Sequence, residues 1–201
     1  MAPTRRTQLR EINVHGFNKR LSGMLDVYTA AMDPPADQLT GRYAIMQRHT
    51  GNPGFRAIVA EQHRLLPRGD DLAAFIYGFH GAEGQWWHDV VHGALTEQGG
   101  TAHADEWLGD TFEVAELHVR PAFQGHGLGR RLLTGLCAGR PETTMVLSTL
   151  DRPGSRARSL YRSAGLIDLL TGFQFPGGGP RYAVMGARLP LPAYESAPSS
   201  P

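Results

Sequence analysis

The chain has a single cysteine, Cys137, so no internal disulfide can form and a reducing compartment is expected. It has no apolar run near the ~20 residues that a membrane helix needs. Its first seventeen residues, MAPTRRTQLREINVHGF, lack the apolar core of a secretory signal. A cytoplasmic location with no membrane partner is the expectation. Net charge is nearly absent too, +1 at pH 7, which argues against a nucleic-acid partner. No internal repeat is visible. What remains is a chain of 201 residues, 41% hydrophobic and 19% charged, long enough to bury a core without staples. The expected organisation is a flexible N-terminus over residues 1–10, one domain over 11–189 and a disordered Pro/Ser-rich tail over 190–201.

One local absence is more telling. No acidic residue lies between Glu116 and Glu142, whereas Arg120, Arg130, Arg131 and Arg140 all fall there. The stretch opens as a strand over residues 112–119, with period-two alternation that puts Ala115, Leu117 and Val119 on one face and Val114, Glu116 and His118 on the other. Pro121 cannot continue a ladder. Gln124-Gly125-His126-Gly127-Leu128-Gly129 follows, and then a helix whose apolar stripe is Leu128, Leu132, Leu133, Leu136 and Cys137. Cys137 is on that stripe and is expected as a core residue rather than a nucleophile. Gly139 and Pro141 supply the stop. A glycine-rich turn running into a helix N-terminus presents outward-pointing N–H groups at the positive end of the dipole, which suits a phosphate. Two common phosphate loops do not fit. A dinucleotide turn needs G-x-G-x-x-G directly after its strand, but here five residues separate Val119 from Gly125 and the spacing is G-x-G-x-G. A nucleoside-triphosphate loop needs G-K-[ST], which is absent.

The run VRPAFQGHGLGRRLL resembles the acyl-CoA motif of the GNAT N-acetyltransferases, Q/R-x-x-G-x-G/A, filled here by Gln124, Gly127 and Gly129. The resemblance implies an α/β (α+β) fold with a mixed, mostly antiparallel central sheet of six to seven strands flanked by helices. It implies acetyl-CoA as cosubstrate, with its pyrophosphate on the backbone of Gly125, His126, Gly127, Leu128, Gly129 and Arg130. The pantetheine arm would lie along Leu117, His118 and Val119. It also admits a homodimer, to which no residue of the sequence points.

Outside that stretch the elements alternate. Residues 11–17 read as a strand and 18–32 as a helix capped by Asn18, with Leu21, Met24, Leu25 and Tyr28 inward. Residues 41–49 read as a helix, and 55–61 and 72–79 as strands of a hairpin turning at Pro67-Arg68-Gly69-Asp70. Residues 80–110 are an insertion, with Trp86, Trp87 and a short helix to Leu95, then a flexible Gln98-Gly99-Gly100-Thr101. Strands at 143–150, 166–175 and 182–189 and a helix at 155–164 complete the chain.

Acetyl transfer to an amine needs a neutral amine, a polarised carbonyl and a proton for the leaving thiolate. A tyrosine, neutral at pH 7, can lend that proton. Residues 155–166 resemble the family's A-x-x-L-Y-x-x-x-G-F motif, which puts Tyr161 in the general-acid position. Gly154 and Thr149 stand where branches of the family carry a CoA-binding asparagine and a catalytic glutamate. Glu116, on the strand before the loop, matches the position from which several members draw the amine's proton, and His118 beside it is a second candidate. His88 and His92 have the i, i+4 spacing of a zinc helix, but without its glutamate or a third ligand no metal is expected. With Trp86 and Trp87 they are expected to wall the acceptor side. The resulting expectation is an N-acetyltransferase acting by direct attack of a primary amine, with a small-molecule amine as partner. The alternatives are a CoA-binding sensor without turnover, or an acyltransferase using a longer acyl group or a hydroxyl acceptor.

Overall fold

Asn13 ends the first strand and caps the first helix: its side-chain oxygen accepts from the Gly16 N–H at 2.8 Å. A computed structural model describes residues 7–62 and 72–192, which divide into two compact units. The first holds β1 (Thr7–Ile12), α1 (Val14–Met32), α2 (Leu39–His49), β2 (Arg56–Gln62), β3 (Leu72–Gly81), β4 (Thr111–Val119) and α5 (Leu128–Cys137). Its strands run in the order β1-β2-β3-β4, with antiparallel pairing of Leu9 to Ala60 and of Ile58 to Ile76.

α1 buries Phe17, Leu21, Met24 and Val27 completely, one per turn, against Phe75, Tyr77 and Phe79 of β3. The Phe17 and Tyr77 rings meet edge to face at 5.1 Å. Each such side chain contributes roughly 1.5–3 kcal/mol by burial. The helix ends at Asp33, whose left-handed φ of 48° lets its N–H bond Thr29 O before two prolines. Gly78 is required by close approach, because a Cβ there would stand 2.4 Å from Glu113 O and 2.8 Å from the Phe112 ring.

The second unit holds α3 (Trp86–Gly99), α4 (Thr101–Leu108), β5 (Thr144–Leu150), α6 (Arg156–Ser163), β6 (Ile167–Phe173) and β7 (Tyr182–Arg188). Its strands run β5-β7-β6, all antiparallel, with Leu147 opposite Met185. Val91, Leu95, Ala104, Trp107 and Leu108 of the helical pair pack on Val146, Leu169 and Val184. Trp107 fits because Gly186 lacks a side chain: a Cβ there would meet the indole at 3.0 Å and Leu169 Cδ1 at 2.9 Å. The Arg188 guanidinium caps the same indole at 4.8 Å.

Among the described residues, seven strands and six α-helices give the mixed α/β, mostly antiparallel fold expected from the sequence. Several boundaries differ. The first strand spans Thr7–Ile12 rather than 11–17, so residues 7–10 pair with β2 instead of forming a flexible arm. α1 starts four residues before Asn18, because Phe17 is a core residue and must lie on the helix's inner stripe. The 98–101 segment is no flexible linker. α3 runs to Gly99, Gly100 at φ 85° breaks the direction, and Thr101 opens α4. The hairpin turn at 67–70 and residues 193–201 of the tail lie outside the described residues. No helix among the described residues is long and apolar enough to cross a membrane.

Candidate active site

β4 stops where Arg120 turns its backbone N–H to Ala73 O at 2.9 Å and its Nε to Leu72 O at 2.8 Å. Pro121–Phe123 form a single 3-10 turn, and Phe123 is buried beneath it. The Gln124 side chain then folds back, its Nε2 donating to Val119 O at 2.9 Å, so this residue of the motif ties the turn to the end of the strand. Gly125 and Gly127 have φ of 81° and 73°, a region that costs other residues about 1–2 kcal/mol. The first intrahelical bond of α5 is Arg131 N–H to Gly127 O, so the amides of residues 128–130 precede the i→i−4 ladder. Leu128 points inward with Leu132, Leu133, Leu136 and Cys137, all buried as the stripe predicts, while Gly125 and His126 are exposed. Oriented amides, positive-φ glycines and an anchored helix start fit the diphosphate of a CoA-type nucleotide. Arg140, counted with the arginines around the turn, is occupied by an ion pair with Glu142.

On β4, Glu116 is buried and both its oxygens are engaged. Oε1 accepts from Arg42 Nη1 at 2.7 Å and Oε2 meets His118 Nε2 at 2.5 Å. Glu116 and His118 thus share a face, as alternation requires. The Arg42 guanidinium also sits 5.0 Å over the Tyr28 ring, and His118 meets that ring edge-on at 5.0 Å. Burial alone would raise the Glu116 carboxyl. The His118 hydrogen bond, with the charges of His118, Arg42 and His49, outweighs it and holds the group below its ordinary value.

Glu113, three residues earlier, has no signal of its own in the sequence. It is 5% exposed, its Oε2 has no hydrogen-bond partner among the described residues, and burial lifts its carboxyl to about 8. Arg42, His49 and Tyr77 likewise join the site only in the fold. Tyr77 is fully buried, and its hydroxyl lies 3.1 Å from His49 Nδ1. Burial, then Glu116 and Glu113, push that phenol well above its ordinary value against the pull of Arg42. Burial also lowers the His49 imidazole, with Glu116 opposing and Arg48 and Arg42 assisting.

Tyr161 belongs to the second unit. It is 7% exposed on α6, whose start is capped by Ser155 Oγ accepting from Arg158 N–H at 3.3 Å. Past Tyr161 the helix closes on it, with the N–H groups of Ala164 and Leu166 both reaching its carbonyl before Gly165 at φ 91°. In the insertion, His88 Nε2 lies 3.1 Å from Leu108 O and His92 Nε2 lies 2.8 Å from Asp105 Oδ1. Both imidazoles therefore tie α3 to α4. Among the described residues no three His, Cys, Asp or Glu are grouped to hold a metal.

Residues 35–166 match the Acetyltransferase (GNAT) family. A GCN5-like protein acetyltransferase of Mycobacterium tuberculosis is 35% identical over 194 residues, covering 87% of this chain and 94% of that protein. Among solved structures, the NatC complex bound to Gag peptide and CoA is similar with a TM-score of 0.62 at 11% identity, over 92% of this chain and 99% of that one. NAA60 of Arabidopsis thaliana in complex with a bisubstrate analogue is similar with a TM-score of 0.61 at 14% identity, again over 92% and 99%. These two show the likeness of fold. The turn after β4, the arrangement of strands and helices and the matched sequence agree, and the chain belongs to the GNAT acetyltransferase family.

Proposed function

We propose that the protein is an acetyl-CoA-dependent N-acetyltransferase that transfers the acetyl group by direct attack of a primary amine. The observation that carries this reading is the turn at residues 124–130, where Gly125 and Gly127 bare the main chain at the start of α5. Backbone amides there hold the pyrophosphate, and the Leu117–Val119 backbone aligns the pantetheine. Binding the nucleotide handle is spent on orienting the thioester. The amine nitrogen bonds to the carbonyl carbon, the C–S bond breaks, the amine's proton passes to a carboxylate, and the thiolate takes its proton from Tyr161. The products are the acetamide and free CoA.

Of the two β4 carboxyls, Glu113 suits the proton-accepting role. A group titrating at about 8 is far more basic than an ordinary glutamate, and one of its oxygens is uncommitted. The second reading keeps Glu116 as the base, passing the proton through His118. The 2.5 Å contact between them supports it, while the two occupied oxygens and the lowered carboxyl weigh against it. The names of the relatives, a protein acetyltransferase and a peptide-bound complex, favour an amine carried on a polypeptide over a small molecule.

Calorimetric titration with CoA tests the reading. The wild-type chain should bind, and Gly125→Ala should bind about tenfold more weakly through backbone strain. CoA release should require both acetyl-CoA and an amine. Absence of heat with CoA would remove the enzyme assignment, and binding without CoA release would leave a sensor.

A further inference from the structure

Residues 80 and 81 of the expected insertion end β3, and the remaining 82–110 contain all three of the chain's tryptophans, none of which the chemistry above uses. Two are explained by packing. Trp107 is buried, and Trp87 donates its Nε1–H to Ser148 Oγ at 3.1 Å. Trp86 is different, with 60% of its surface exposed, more than any other large hydrophobic side chain among the described residues. Its ring is nevertheless held. It lies on Phe175 at 5.5 Å and 30°, and Phe175 is braced edge-on by Phe173 at 4.9 Å and Tyr182 at 5.1 Å. The result is a braced aromatic face open to solvent.

The segment that carries it has one sign of charge. Residues 82–110 contain Glu83, Asp89, Glu97, Asp105, Glu106 and Asp110, and all 20 lysines and arginines of the chain lie elsewhere. Asp105 is paired with His92 and Glu106 with Arg188. Asp89 sits three residues beyond Trp86, on the same surface of α3, with its side chain 47% exposed. It is fixed by accepting from the Gly84 N–H at 3.0 Å. Glu83 and Glu97 have no basic partner among the described residues.

We propose that the open face of Trp86, with Glu83 three residues before it and Asp89 three residues after it in the chain, docks a lysine- or arginine-bearing polypeptide segment. An indole face attracts a cation, the carboxylates beside it provide the counter-charge, and the apolar stem of a long basic side chain covers the ring. The length of the acidic surface selects a polypeptide rather than a small amine. Trp86 to Glu97 extends along α3 for about 17 Å, the span of roughly five residues of extended chain. The proposal rests on the polypeptide-acceptor reading for its biological sense, but its test is binding and needs neither CoA nor turnover.

The test is fluorescence anisotropy of the full chain with a labelled twelve-residue peptide of alternating lysine and glycine at low salt. A matched peptide with glutamate for lysine and unlabelled spermine serve as comparisons. The lysine peptide should bind, lose affinity as salt rises, and bind about tenfold more weakly to Trp86→Ala. Glu83→Gln should weaken it several-fold, and Trp86→Phe should retain most of the affinity. Unchanged affinity in Trp86→Ala, no binding of the lysine peptide, or equal binding of the glutamate peptide overturns the proposal. Displacement by spermine at concentrations matched in charge overturns the polypeptide assignment in favour of a small polyamine. Acetylation of a free amine without peptide binding sinks the docking alone, and peptide binding without CoA release sinks the reaction alone.

Discussion

Glu113 and Glu116 stand three residues apart on β4, and the protein drives their carboxyls in opposite directions, one up to about 8 and the other below its ordinary value. Glu113 has burial and an idle oxygen, while Glu116 has burial plus Arg42 and His118. Such a split within one strand separates a group that exchanges protons near neutral pH from one that stays charged.

The first prediction concerns rate. With Glu113 as the base, only its ionised form works, so kcat/KM should rise about tenfold per pH unit up to about 8 and then level. Glu113→Gln should remove that limb and lower kcat by 10²- to 10⁴-fold, whereas Glu116→Gln should keep the limb in place. A limb that vanishes only in Glu116→Gln would transfer the role to the Glu116–His118 pair.

Stability should separate the same two residues. A carboxyl raised in the fold stabilises most below its unfolded value near ~4.3 and loses that contribution as pH climbs to about 8. Glu113→Gln should therefore flatten the decline in urea midpoint between pH 5 and 8. Glu116 has the opposite sign, stabilising above its unfolded value and failing as pH falls through its lower folded value. Arg42→Gln removes one of the charges that offset the burial of Glu116, so acid unfolding should begin at higher pH than in the wild type. The Arg42 side chain is 36% exposed, so solvent screening limits the loss at pH 7 to roughly 1–2 kcal/mol.

Tyr161→Phe keeps the ring that α6 buries and removes only the hydroxyl. As the acid for the thiolate, its loss should cost 10- to 10⁴-fold in kcat, weighted to the upper part, with little change in CoA affinity. A stopped assay giving less than a threefold change would remove Tyr161 from the mechanism.

Gly186→Ala should destabilise the second unit by about 1–3 kcal/mol, because the new methyl must push back the Trp107 ring or Leu169. Thermal melting followed by tryptophan fluorescence reads this directly. An unchanged midpoint would mean that β7 yields at that position at no cost.

The turn after β4 is legible because its signals are local: a stripe of four leucines and a cysteine at 3.6 spacing, a proline, and glycines where φ is positive. α1 begins before Asn18 because Phe17 must reach Tyr77, sixty residues on, and no local cap signal carries that contact. Glu116 could be named from its strand, but its partner Arg42 is 74 positions away and no pattern joins them. Glu113 was missed for a related reason. A glutamate in a strand reads as a solvated residue until the surrounding core is known, and its basicity comes wholly from that core. The glycines at 99 and 100 suggested a loose linker, whereas one ends a helix and the other turns the chain into the next.

Asp33 holds a left-handed backbone that its own side chain disfavours, at the end of the longest helix and outside the residues given chemical roles above. It is therefore a reserve of thermal tolerance: glycine at this position relieves the strain without touching the reaction. A variant hardened there could absorb costlier substitutions along β4 and still be purified as a folded enzyme.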